Sequence, residues 1–274
     1  MRLRVKKGAV LVLAGLFCLS LFRPAFSQEM TAEQLTAGMR QKWSSVKDFQ
    51  TDLTIGMQMF GKMMKIEGTV WQKERLFRAE MTLPPELMPA GNKPGEPIKA
   101  LMVFDGKTMW QSLPMMNLVT RTDFSALEGK LKNTPFSKPS YVLPELSFQL
   151  SEKNRDGNDY YFLETGDVED FIQNSPVSSV GVNLPANMSF QSVGIWVNKT
   201  SLFPELIEFY AQDHTPGMFL QFKNIKTEQG LASELFTFRV PKDAMVMDMT
   251  EAVKALAGKK AQQPSAPDTG QAPE

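Results

Sequence analysis

The sequence predicts a mainly β protein with a few helices: an incomplete antiparallel β-barrel of about ten or eleven strands under a helical lid. Three observations carry that expectation. Hydrophobicity alternates with a period of two through most of the chain from Phe49 to Val240. The alternating segments meet at short turn sequences, among them Gly61-Lys62, Asp105-Gly106-Lys107 and Asp156-Gly157. A clear helical period is confined to one segment near the start, so no βαβ rhythm exists and nucleotide-binding α/β folds are excluded.

Taken in order, residues 1–27 read as a cleaved secretory signal peptide. Arg2, Arg4, Lys6 and Lys7 make a basic start, Ala9 to Phe22 is an apolar run of 14 residues, and Ala25-Phe26-Ser27 precedes the expected cut before Gln28. A membrane span needs about 20 residues, which counts against a retained anchor. Cys18 follows Gly15-Leu16-Phe17, and bulky Phe17 argues against lipid attachment there. Thr31 to Val46 is an amphipathic helix: Thr31 and Gln34 form a capping-box pattern, and Leu35, Met39, Trp43 and Val46 share one face.

From Phe49 the period becomes two. Leu53, Ile55, Met57 and Met59 form one face of a strand, and Met64, Ile66, Gly68 and Val70 the matching face of its hairpin partner. Arg75 to Leu83 continues with Phe77, Ala79 and Met81 on that face. Residues 84–97 hold five prolines and two glycines and read as a loop. Ile98–Phe104 and Thr108–Leu113 form another hairpin, Leu118–Arg121 extends the meander, and Asp123 is a plausible N-cap for a helix reaching Leu131. Strands are expected at 145–153, 159–164, 189–198, 206–212, 218–225 and 234–240, with a long excursion over 166–188. A weak helix after Asp248 leads into a polar Pro/Ala/Gln tail. The domain expectation is a signal peptide over 1–27, a single domain over 28–250, and a weak helix with tail over 251–274.

The chain has 274 residues with 30 basic and 30 acidic side chains. Removing the leader takes away five bases, the only Cys and no acid, leaving an acidic product of net charge −5 without thiol chemistry. No basic, aromatic-interleaved patch points to nucleic acid. The one His, His214, lies in a turn sequence, and no P-loop, GxSxG elbow or HExxH motif occurs. Asp167, Glu169 and Asp170 read as solvated loop carboxylates, and Asp156-Gly157-Asn158 as a turn. Asn187-Met188-Ser189 and Asn198-Lys199-Thr200 are sequons that matter only in a glycosylating host. The chain is therefore expected to be no enzyme, with no catalytic residues, no cofactor and no metal. The methionines, 18 in the full chain, are the compositional oddity. Met57, Met59, Met64, Met81 and Met102 all fall on expected inward faces, where they either fill an ordinary core or line a cavity that re-packs around varied apolar ligands.

Several motifs carry a family resemblance. Gly68-Thr69-Val70-Trp71-Gln72-Lys73, running on through Leu76-Phe77 to Met81, resembles the "G-x-(L/V)-W-x-K-x…LF-x-x-x-M" stretch of the outer-membrane lipoprotein carrier family, LolA. Phe104-Asp105-Gly106-Lys107-Thr108-Met109-Trp110 is similar to that family's "SDGKTLW" hairpin. Asn133-Thr134-Pro135-Phe136 resembles its "NTPF" segment, and Phe236-Thr237-Phe238-Arg239-Val240-Pro241 its closing "FTFTPP" strand. The matches keep their order over residues 31–248; the 84–97 loop, the 166–188 excursion and the tail have no counterpart.

The resemblance implies a LolA-like incomplete barrel whose cavity shields lipoprotein acyl chains, or another lipid, crossing the periplasm. It also implies handover from an inner-membrane ABC-type lipoprotein-releasing complex to an outer-membrane lipoprotein receptor, by a soluble periplasmic monomer. The candidate lipid-binding lining is Ile55, Met57, Met59, Met64, Ile66, Val70, Phe77, Met81, Met102, Phe104 and Trp110. The family's lid-latching cation falls on Lys73 or Arg75. An alternative from another class is an envelope sensor or scaffold that binds a membrane-protein partner. A hydrolase on the same scaffold lacks an evident nucleophile and base.

Overall fold

The computed structural model describes residues 29–59, 61–87, 98–127, 143–174 and 189–260. Contacts divide the chain into Met1–Thr31 and Ala32–Glu274, and the fold described is that of the second unit. The leader, the Asn133–Phe136 motif and the tail beyond residue 260 lie outside the described residues.

Helix α1 spans Ala32–Ser44 and buries Leu35, Met39 and Trp43, the stripe its 3.6-residue period predicts. Twelve strands follow among the described residues, β1 (Asp48–Met59), β2 (Lys62–Lys73), β3 (Leu76–Leu83), β4 (Ile98–Phe104), β5 (Thr108–Leu113), β6 (Leu118–Asp123), β7 (Gln149–Arg155), β8 (Asn158–Thr165), β9 (Ser192–Asn198), β10 (Pro204–Tyr210), β11 (Pro216–Thr227) and β12 (Met245–Asp248). They form one open sheet in the order β12-β6-β5-β4-β3-β2-β1-β11-β10-β9-β8-β7. Every pairing is antiparallel except β12 against β6. The sheet joins its first strand to its eleventh, so a meander becomes an incomplete barrel with two free edges.

Four sequence expectations change. Residues 234–240 form no strand: Ser233–Phe236 is a 3₁₀ turn that begins a strap across the sheet. The strap then supplies β12, which the sequence reading did not include, parallel to β6. The excursion after 166 contains helix α2 (Val168–Asn174), with Phe171 fully buried against Phe209 at 6.0 Å. Described residues 124–127 are a 3₁₀ turn rather than an α-helix, although Asp123 does cap it, accepting the Ser125 N–H at 2.9 Å. The final helix, α3, runs Thr250–Lys260. Among the described residues no helix is long and apolar enough to cross a membrane.

The two faces of the sheet differ. The inner face carries α1 and the main core, in which Leu53, Ile55, Val70, Ala79, Phe104, Ile195, Phe209 and Leu220 are buried together. The outer face is polar at β7–β10, centred on Glu208. That carboxylate is 5% exposed and accepts hydrogen bonds from Trp196 Nε1 at 2.7 Å, the Tyr210 hydroxyl at 2.6 Å and Arg155 at 3.0 Å. Burial first, then the bond to Glu208, pushes the Tyr210 hydroxyl well above its ordinary pKa. A buried carboxylate with three donors is satisfied and holds three strands in register.

Over β1–β6 the strap crosses the outer face. Asp48, itself 5% exposed, accepts the N–H groups of Gln229 at 2.6 Å, Gly230 at 3.0 Å and Leu231 at 3.2 Å. Gly230 has φ +66°, the left-handed conformation that lets three successive N–H groups converge on one carboxylate. Lys73 and Arg78 then donate to the carbonyls of Leu231 at 2.6 Å and Leu235 at 3.1 Å, and Phe238 stacks on Trp110 at 5.3 Å.

Candidate binding site

Strand register decides which side chains share the inner face. Pairing of Ile55 with Ile66 and Met57 with Met64 puts these four on one side of the β1–β2 hairpin. Gly68 opposes Met81, Val70 opposes Ala79, and Ala79 opposes Met102, which carries the same face across β3 and β4. Phe77 and Phe104 are paired at the far end of these strands and both are buried.

The eleven candidate lining residues separate by depth. Ile55, Val70, Phe77 and Phe104 are buried and make a floor. Met57, Ile66, Met81 and Met102 are half-buried and pack against that floor. Met59 and Met64 are half-buried near the end of the hairpin and continue the face by alternation. Trp110 stands elsewhere. Its neighbour Met109 joins the inner core, so Trp110 points to the outer face, where it opposes Val103, stacks on Phe238 and lies 5.9 Å from the Arg121 guanidinium.

Of the two latch candidates, one meets the strap. Lys73 binds the Leu231 carbonyl, and Arg75 is exposed in the β2–β3 turn with no hydrogen bond or ion pair among the described residues. Arg78 is the cation that sequence reasoning missed. It donates to the Leu235 carbonyl and makes two bonds to Glu80 Oε1, at 3.0 and 2.6 Å. Alternation could have found it, since Arg78 follows Phe77 and must face the other way.

The helices concentrate on the other half of the inner face. Trp43 of α1 packs on Phe203 at 4.4 Å, donates its indole N–H to the Leu202 carbonyl at 3.1 Å, and lies 6.4 Å from Phe49. Phe171 of α2 meets Phe209 of β10. The result is an inner surface with one half sealed by aromatic helix contacts and the other bearing partly exposed methionines. Such a surface can hold an apolar chain by burial and can re-pack around it, because Met has three rotatable bonds and a polarisable sulfur. Among the described residues no group of three or more His, Cys, Asp or Glu side chains could hold a metal ion. His214 lies in the β10–β11 turn at φ +57°.

No family model and no curated protein matches the sequence. Solved structures do. An uncharacterised conserved protein from Thermus thermophilus is similar at 15% identity over 79% of this chain and 98% of that one, with a TM-score of 0.48. A LolA superfamily protein from Nitrosomonas europaea is similar at 17% identity over 76% and 98%, with a TM-score of 0.32. The Mycobacterium tuberculosis lipoprotein LppX is similar at 11% identity over 74% and 100%, with a TM-score of 0.40. None of these likenesses carries a function across to this chain.

Proposed function

We propose that this protein is an exported, non-enzymatic carrier that shields the acyl chain of a lipoprotein or related lipid on the methionine-bearing half of its inner face. The observation that supports the reading most is the half-burial of Met57, Ile66, Met81 and Met102 on top of a buried floor. Neighbouring apolar side chains left partly open on one face form a contiguous surface that an apolar ligand can cover. Covering one chain of about 14 methylenes gains roughly 11 kcal/mol gross at about 0.8 kcal/mol each. Release therefore needs a competing site, and the carrier reading places one on each side of the journey: an inner-membrane ABC-type complex that loads and an outer-membrane receptor that unloads, both in the periplasm.

The test is native mass spectrometry of protein purified from its own envelope, joined to titration with a fluorescent fatty-acyl probe. Bound lipid and probe binding weakened about tenfold or more in Met81→Asp and Met102→Asp are expected, since each places a charge against an acyl chain. Apo protein alone, with no probe binding, would sink the reading.

A second reading, an envelope scaffold that holds a membrane-protein partner, draws on the edge strand β12. Met245, Val246 and Met247 there are 67%, 47% and 47% exposed, on a strand paired on one side only. It predicts stable co-purification with one inner-membrane protein that is lost when Val246 is replaced by Pro, which cannot donate to an added strand.

A further inference from the structure

Two neighbouring rungs of the sheet, near the turn of the β1–β2 hairpin, differ in chemistry. In the deeper rung Leu220 of β11 opposes Ile55 of β1, and Ile55 opposes Ile66 of β2. In the next rung out Met218 opposes Met57, and Met57 opposes Met64. Three strands thus change from branched aliphatic side chains to thioethers at one level. Met218 belongs to the buried core and Met57 packs against it, so the row lies on the inner face, where register adds Met64. Met218 is fully buried; Met57 and Met64 are half-buried and open to solvent above it.

Neighbouring strands lie about 4.8 Å apart, which puts the two outer members of the row about 10 Å apart with Met57 between them. Each side chain has three rotatable bonds, so three sulfurs can converge beside Met57. Gap-filling explains one Met in a strand. It is a poor account of three on one rung, because each gives up β-propensity against the Ile or Leu used a rung deeper. The row is also neutral. Within β1, β2 and β11 the one charge on this side is exposed Lys62, opposite Met59 a further rung out. Lys65 opposes Gly56 and faces the other side.

We propose that the thioethers of Met57, Met64 and Met218 bind one Cu(I) ion. Calcium and magnesium take oxygen ligands, and zinc takes thiolate, imidazole or carboxylate, none of which this rung offers. Soft thioethers select Cu(I). A single positive charge is also the smallest that a half-buried apolar rim has to hold. Lys62 repels the ion from Met59 and so places it in the inner rung. The expectation of no metal rested on missing His and Cys clusters, a criterion that thioethers escape. The site shares Met57 and Met64 with the proposed lining but does not depend on the carrier reading.

The experiment titrates the full chain with Cu(I) without oxygen, against a coloured Cu(I) chelator. X-ray absorption at the copper edge then reads the ligands. One tightly held Cu(I) per chain, surrounded by sulfur, is expected. Met218→Leu and Met64→Leu, which nearly conserve volume, should each weaken binding about tenfold or more. Met64 is half-exposed, so its variant keeps the test valid where the core variant loses stability. Met245→Leu with Met247→Leu, at exposed positions of β12, should leave the affinity unchanged. An equal loss in that pair would mean adventitious surface thioethers and overturns the proposal. So does an absence of binding, binding indifferent to Met64→Leu, or a copper surrounded by nitrogen and oxygen. Acyl-probe binding without Cu(I) removes this site and leaves the carrier reading standing. Cu(I) binding without acyl-probe binding supports this site and counts against the carrier.

Discussion

Gly68 sits in mid-strand opposite Met81, and a Cβ built there would overlap the Glu80 carbonyl and come within 2.6 Å of the Met81 sulfur. Glycine within a strand lowers stability by about 0.5–1 kcal/mol on backbone grounds, so its effect here is spatial: it lets the Met81 side chain lie across β2. Gly68→Ala should therefore destabilise by roughly 1–3 kcal/mol in urea denaturation, against its gain in strand propensity. An unchanged or higher midpoint would show that β2 and β3 can separate freely. Trp110 is decided at the same scale. The Asp-Gly-Lys turn is visible in the sequence, but it does not state whether Val103 or Phe104 opposes Trp110, and a slip of one residue exchanges the faces. The structure pairs Val103 with Trp110, which sends the indole outward to Phe238.

At the scale of elements, residues 234–240 read as a strand because Phe236, Phe238 and Val240 alternate with polar residues. Alternation reports only that one side is buried, and lying across a sheet satisfies that as well as joining it. The strap buries Phe236 and rests Phe238 on Trp110 before β12 docks. Asp248 ends β12 and starts α3. It accepts the Thr250 N–H at 2.9 Å and pairs with Arg121 at 3.1 Å. Hydrogen bonds from Thr250 first, then the Arg121 charge, hold its carboxyl below the usual 3.8. A depressed folded pKa means that its contribution is complete above the unfolded value and is lost as pH falls through the folded one. Hydrogen exchange over 245–255 should be flat from pH 7 to about 4, once corrected for intrinsic rates, and then rise. Asp248→Asn should remove that acid-dependent rise; its persistence in the variant would assign the fraying to another group.

For the whole molecule, one carboxylate holds the covering of the outer face. Asp48 receives three strap N–H groups, and its own main-chain carbonyl accepts the Glu228 N–H at 2.9 Å. Asp48→Ala leaves those strap donors unpaired in a buried place and should cost about 2 kcal/mol or more. Exchange of amides 229–238 should rise well beyond the rest of the chain. Uniform destabilisation, with no excess in the strap, would show that Phe236 and β12 hold it unaided. The period-two pattern, the turns and the amphipathic α1 were legible because each depends on neighbours two to four residues apart. So was most of the methionine face, since strand alternation alone aligns Met57, Met81 and Met102. What only the tertiary structure decided is how distant segments meet: β1 beside β11, and the strap across β1–β6. Those contacts join residues more than 120 positions apart, and their free energy lies in a shared buried surface that no local window of sequence contains.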